Sequence, residues 1–163
     1  MNAYSIDRKS FQLTDNNQLL GELIYENLFF LNAEIKMPIL NIFKIKPVGF
    51  FQTSIKVTKN ETEIASLAMN WRGEIVISYH DGQDYVLKLN KFFYGKYIIE
   101  NEKGEKIIQL DPKFNWREFH YNYDIEYSIT DDDNLKDPLL LLLGVYGANY
   151  FIACMSGANA GMI

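Results

Sequence analysis

The seventeen residues from Leu139 to Met155 carry no charged side chain and follow directly on Asp137-Pro138. No other feature constrains the fold as much. Asp137 can accept hydrogen bonds from the first free amides of a helix, and proline at the first helical position gives up no backbone bond, so a helix begins here. The pattern predicts its end near Ser156-Gly157, giving a helix over about 138–156. A helix that is apolar on every side must be surrounded, by lipid or by its own protein. At about 1.5 Å per residue the run spans roughly 26 Å, the lower limit for crossing a bilayer.

The rest of the chain favours protein as the surround. From Ser10 to about Ile129 the sequence alternates apolar and polar residues in short runs rich in Ile, Val, Phe and Tyr, the all-β signature. Asp15-Asn16-Asn17, Lys59-Asn60-Glu61, His80-Asp81-Gly82-Gln83 and Glu102-Lys103-Gly104 interrupt it with residues that tolerate positive φ, so each predicts a hairpin tip. Eleven or twelve strands result. A sheet that wide splits into two layers or closes, and closure alone removes its edges. The prolines at 38, 47, 112 and 138 stand singly, and no linker divides the chain. The expected architecture is one domain over 1–163: all-β with one central helix, a closed and mostly antiparallel barrel of about twelve strands around the C-terminal helix. Gly144, Gly147, Ala148, Ala153 and Gly157 would let strand side chains approach the helix backbone. The same small residues suit packing in a bilayer, so the alternative is a helix inserted in lipid.

Composition narrows the function classes. The 163 residues are 48% hydrophobic, enough for a core without a disulfide or metal staple. A single cysteine, Cys154, excludes an internal disulfide, and the polar start from Met1 to Arg8 lacks the apolar core of a signal peptide, so a cytoplasmic location is expected. A net charge of -5 argues against a general nucleic-acid binder. That charge is unevenly spread. Between Glu34 and Glu61 there is no acid, but Lys36, Lys44, Lys46, Lys56 and Lys59 give +5, whereas 98–137 holds eleven acids against five bases. Lys44 and Lys46, two apart in one strand run, share a face, and Lys56 lies in the next run. Such a trio can hold a phosphate between ammonium groups. The competing reading is an ordinary solvated lysine face that protects the sheet from aggregation.

Catalytic constellations are not expected. In the run Arg117 to Ile129 one face carries Glu118, His120, Asn122, Asp124 and Glu126, which reads as the wet side of a barrel strand; an enzyme would need Glu118, His120 and Asp124 to line a pocket. His80 falls in a hairpin turn, Cys154 falls in the apolar helix and is expected to be buried and inert, and Trp71-Arg72-Gly73 reads as a turn. No Gly-x-Ser-x-Gly or phosphate-cradling Gly loop is present, and no cofactor is implied.

The hairpin series, the Gly-containing tips and the ending Asp131-Asp132-Asp133-Asn134-Leu135 followed by Asp137-Pro138-Leu139 to Met155 resemble the tubby-like superfamily, which includes the tubby C-terminal domain, the LURP-one-related proteins and the phospholipid scramblases. The resemblance covers nearly the whole chain and implies a twelve-strand barrel around a hydrophobic C-terminal helix. For function it implies a non-enzymatic binding or scaffold module, peripheral to membrane, that takes a phosphoinositide or other anionic headgroup on Lys44, Lys46 and Lys56. Its scramblase branch implies two further possibilities: a membrane-associated protein with the terminal helix in lipid, and a calcium site with Asp131 and Asp133 as ligands. An EF-hand started at Asp131 fails, because Lys136 and Leu142 fall where glycine and the bidentate glutamate are needed. The same acids, just before a helix N-terminus, are stabilised by its dipole.

Overall fold

Successive side chains on extended backbone point to opposite faces, so each alternating run buries one row and wets the other. In a computed structural model, which describes residues 1–27, 31–48, 54–90, 95–117, 120–128 and 137–155, twelve such runs form β1 (Asn2–Asp7), β2 (Ser10–Asp15), β3 (Gln18–Tyr25), β4 (Ala33–Met37), β5 (Asn41–Val48), β6 (Ser54–Lys59), β7 (Thr62–Met69), β8 (Ile75–Tyr79), β9 (Asp84–Leu89), β10 (Tyr97–Glu100), β11 (Lys106–Asn115) and β12 (His120–Tyr127). Each strand pairs antiparallel with its neighbours in sequence, and β1 pairs with β12 to close the barrel. Helix α1 (Pro138–Met155) lies inside. This is the architecture the sequence led us to expect.

Three details differ from the sequence reading. Residues 2–7, taken there for a polar start, form β1: only Ala3 and Ser5 turn inward, too small a pair to register as hydrophobic alternation. The apolar run that begins at Ile39 becomes strand only from Asn41, because Ile39 and Leu40 sit in the β4–β5 tip with φ of 68° and 57°. The long run 117–129 is shorter, and β11 reaches Asn115 to meet it at His120.

The meander gives the barrel two distinct ends. At the cap end lie the tips β2–β3, β4–β5, β6–β7, β8–β9 and β10–β11, together with the start of α1. Asp137 is the N-cap: its Oδ1 accepts from the Leu139 amide at 2.9 Å, its carbonyl from the Leu141 amide at 3.2 Å, and its Oδ2 from the Tyr79 hydroxyl at 3.1 Å. The other connections, from β1–β2 round to β11–β12, lie at the far end.

A barrel of twelve strands is wider than its own inward side chains can fill, and α1 fills it. Leu140 to Leu143 are at most 1% exposed. A Cβ on Gly144 would stand 2.7 Å from Ile99 Cδ1 and one on Gly147 2.5 Å from Leu87 Cδ2, so glycine is what lets β10 and β9 close on the helix. The second half of α1 is different in kind. Tyr146 donates its hydroxyl to the Leu31 carbonyl at 2.7 Å; the Tyr123 hydroxyl donates to Asn149 Oδ1 at 2.7 Å; and Asn149 Nδ2 donates to the Tyr25 hydroxyl at 3.1 Å. Tyr25 and Tyr146 stack with centroids 5.8 Å apart. Burial pushes all three phenols far above their ordinary pKa, so they remain protonated. No helix among the described residues is long and apolar enough to cross a membrane.

Candidate functional site

The lysine face forms as its spacing suggested. Lys44 and Lys46 on β5 and Lys56 on β6 all point outward and are exposed, and the register sets Lys46 directly opposite Lys56. Cβ atoms of such a pair stand about 5 Å apart, a like-charge opposition that destabilises an antiparallel pair. Lys44 lies between Glu34 on β4 and Thr58 on β6.

The acid-free stretch of sequence is nevertheless not an acid-free surface. Strand pairing brings Glu22 opposite Lys36 and Glu34 opposite Lys44, and Lys56 Nζ reaches Glu63 Oε2 at 2.8 Å. That hydrogen bond holds the Glu63 carboxyl below its ordinary value. Lys59 lies over the Phe43 ring, 5.6 Å from its centroid. Among the described residues Lys44 and Lys46 make no ion pair, so they and the half-neutralised Lys56 form the cationic core of the face.

Other sequence candidates separate. Asp131, Asp132, Asp133 and Glu118 lie outside the described residues, and of His120 only the backbone pairing with Asn115 is described. Asp124 and Glu126 are exposed on the outer face of β12, as the alternation required. No group of three His, Cys, Asp or Glu among the described residues could hold a metal ion. Cys154 is exposed in the last turn of α1, where the sequence reading expected burial: apolar neighbours in sequence do not guarantee that the wall extends over the helix end. A shallow depression of about 230 Å³ at the cap end lies between Gln83, Asp84, Tyr85, Asn101, Glu102 and Lys103. With two carboxylates against one ammonium it is a poor place for an anion.

Sequence reasoning missed one constellation. The tripeptide Asn-Trp-Arg occurs twice, at 70–72 and at 115–117, and both copies are hairpin tips at the far end. In each, the Asn Oδ1 accepts the amide of the Arg two residues on, at 2.9 Å in the first and 3.1 Å in the second, an Asx turn that throws the intervening Trp outward. Trp71 is 88% and Trp116 79% exposed. A search for repeated tripeptides would have found them. Reading Trp71-Arg72-Gly73 as a turn was right about the backbone and silent about what the turn displays.

No family model, curated protein or solved structure matches this chain.

Proposed function

We propose that the chain is a tubby-like, non-enzymatic binding module that takes a phosphate-bearing anionic headgroup on the face formed by Lys44, Lys46 and Lys56. The observation that carries this reading is the direct opposition of Lys46 and Lys56 on adjacent strands, with Lys44 on the same exposed face. Two ammonium groups held opposite one another repel, and an anion seated between them turns that repulsion into two charge-assisted hydrogen bonds. The closed barrel around a C-terminal helix supports the tubby-like part of the reading. Burial of α1 speaks against a lipid-inserted helix, since withdrawing it would empty the core. The test is co-sedimentation with vesicles containing a phosphoinositide. The triple variant Lys44→Glu, Lys46→Glu, Lys56→Glu should lose at least about tenfold in headgroup-dependent binding, at about 1 kcal/mol per charge near an anionic surface. Undiminished binding by that variant would end the proposal.

A further inference from the structure

All three arginines of the sequence and both its tryptophans lie in connections at the far end of the barrel. Arg8 is in the β1–β2 tip, Trp71-Arg72 in β7–β8 and Trp116-Arg117 in β11–β12, and all five are exposed. We infer that this end is a docking surface for an anionic lipid bilayer, with Trp71 and Trp116 seated at the headgroup level and Arg8, Arg72 and Arg117 against lipid phosphates. The inference goes beyond the lysine-face reading and does not depend on it, because Lys44, Lys46 and Lys56 lie on the barrel wall.

The tips are built to present these side chains. In the β7–β8 tip, Asn70 Oδ1 accepts the amides of Arg72 at 2.9 Å and Glu74 at 3.0 Å, its Nδ2 donates to Glu74 Oε2 at 2.9 Å, and Gly73 closes the turn with φ of 74°. These bonds occupy the Asn70 side chain and tie it to Glu74, and Trp71 and Arg72 face outward. The Arg72 guanidinium stands 4.9 Å from the Trp71 ring centroid, an arrangement that keeps the indole beside a cation. Trp116 is propped by Phe114, with ring centroids 4.8 Å apart, and Phe114 is itself propped by Tyr121.

Chemistry and shape select the occupant. Indole is the side chain of the membrane interface, apolar in body with one N–H for the wet side, and guanidinium binds phosphate through a planar fork. The anchors are distributed over separate tips of a barrel end about 24 Å across by strand spacing and tilt, which suits a surface rather than a groove-bound peptide. Charge agrees. Among the described residues of the far-end tips, Asp7 and Glu74 are turned into their own tips, leaving Glu26 against Arg8, Lys9, Arg72 and Arg117. The cap-end tips carry Asp15, Glu61, Asp81, Glu102 and Glu105 against Lys59 and Lys103, so an anionic surface orients the molecule far end first.

The two tryptophans are the molecule's own probe. Full-length protein mixed with phosphatidylcholine vesicles containing phosphatidylserine should show a blue-shifted tryptophan emission that is quenched by acyl-chain-brominated lipid and weakened by salt. The decisive variant is Trp71→Glu with Arg72→Lys and Trp116→Glu. It rebuilds the first tip as the sequence Asn-Glu-Lys-Gly-Glu that this chain already folds at 101–105, so it tests display and not folding. Vesicle co-sedimentation should fall about tenfold or more. The variant Arg8→Gln, Arg72→Gln, Arg117→Gln should lose about fivefold per charge and with it most of the salt dependence. Charge reversal at the three lysines should leave the brominated-lipid quenching in place; if that reversal abolishes quenching, contact is through the wall and the inference fails. It fails equally if the emission stays that of water-exposed indole, or if a blue shift appears without lipid together with a dimer in sedimentation, which would give the tips to a second copy.

Discussion

The tips Asn70–Glu74 and Asn101–Glu105 are the same piece of structure at opposite ends of the barrel. In both, the Asn side-chain oxygen accepts amides two and four residues on (2.9 and 3.0 Å in one, 3.0 and 3.0 Å in the other), and the Asn amide donates to the Glu carboxylate (2.9 and 2.8 Å). Gly73 and Gly104 hold φ of 74° and 75°. The displayed pair alone differs: Trp71-Arg72 at the far end, Glu102-Lys103 at the cap end. Folding demands the frame, and nothing in folding demands the display. An indole in water beside a carboxylate-rich twin is therefore a statement about what each end meets.

The interior repeats the division, and the largest expected effect tests it. The cap half of α1 is a leucine plug, whereas the far half carries the Tyr146–Leu31 and Tyr123–Asn149–Tyr25 hydrogen bonds. Asn149→Leu removes the acceptor of one buried phenol and a donor to another, and should cost about 3 kcal/mol in urea unfolding at unchanged m-value. Leu142→Met, a volume-conserving swap at an equally buried position of the other half, should cost under about 1.5 kcal/mol. Equal costs would mean the two halves of the helix are not different in kind.

The frames themselves come next. Asn70→Ala and Asn101→Ala each strip two amides and a carboxylate of their partner in a solvent-exposed tip, so each should cost about 1–2 kcal/mol. If the frames are equivalent, the two losses agree within about 0.5 kcal/mol despite the difference in display. The tip that breaks frame chemistry is β4–β5, also at the cap end. The left-handed pairs at Asn16-Asn17 and Asn60-Glu61 begin with asparagine, but Ile39-Leu40 forces a β-branched residue to φ of 68° with both side chains more than 90% exposed. Ile39→Asn with Leu40→Gly should therefore raise stability by about 1 kcal/mol, read as a higher urea midpoint.

How much of this the sequence discloses follows from what each signal measures. The barrel and the buried helix were legible because period-two alternation, tip residues and a charge-free run with Asp137-Pro138 in front are local signals that all agree. The strand β1 was not, because its inward residues are Ala3 and Ser5, and it is pinned by pairing with β12 more than a hundred residues away. The lysine face was half legible. Spacing gave the shared direction of Lys44 and Lys46, but charge counted along the chain cannot see that register delivers Glu34 and Glu63 to the same wall. The tryptophan tips were in plain view as a repeated tripeptide, yet only topology shows that both copies lie at one end.

The smallest effect concerns the one far-end tip framed by aspartate. Asp7 Oδ1 accepts the Lys9 amide at 2.7 Å, as Asn70 and Asn115 do for their arginines, and Ser10 donates to its Oδ2 at 3.2 Å. The Lys9 amide chiefly holds the Asp7 carboxyl below its ordinary value of 3.8, with the Ser10 hydroxyl adding to it. A carboxyl lowered in the folded state contributes stability that is fully present above the unfolded pKa and lost as pH falls through the folded one, so this tip loosens in acid below about pH 4. Asp7→Asn keeps the acceptor for the Lys9 amide and removes the titration. Comparison of the variant with the parent from pH 6 to pH 2 should show a slightly flatter acid limb, while Asn70→Asp should steepen it. The same Asp7→Asn change takes one negative charge from the far end at neutral pH and leaves Trp71 and Trp116 untouched, so vesicle binding should strengthen at low salt and be unchanged at high salt. A variant that flattens the acid limb yet binds acidic vesicles no better than its parent would show that charge at this end is only part of the tip's own frame.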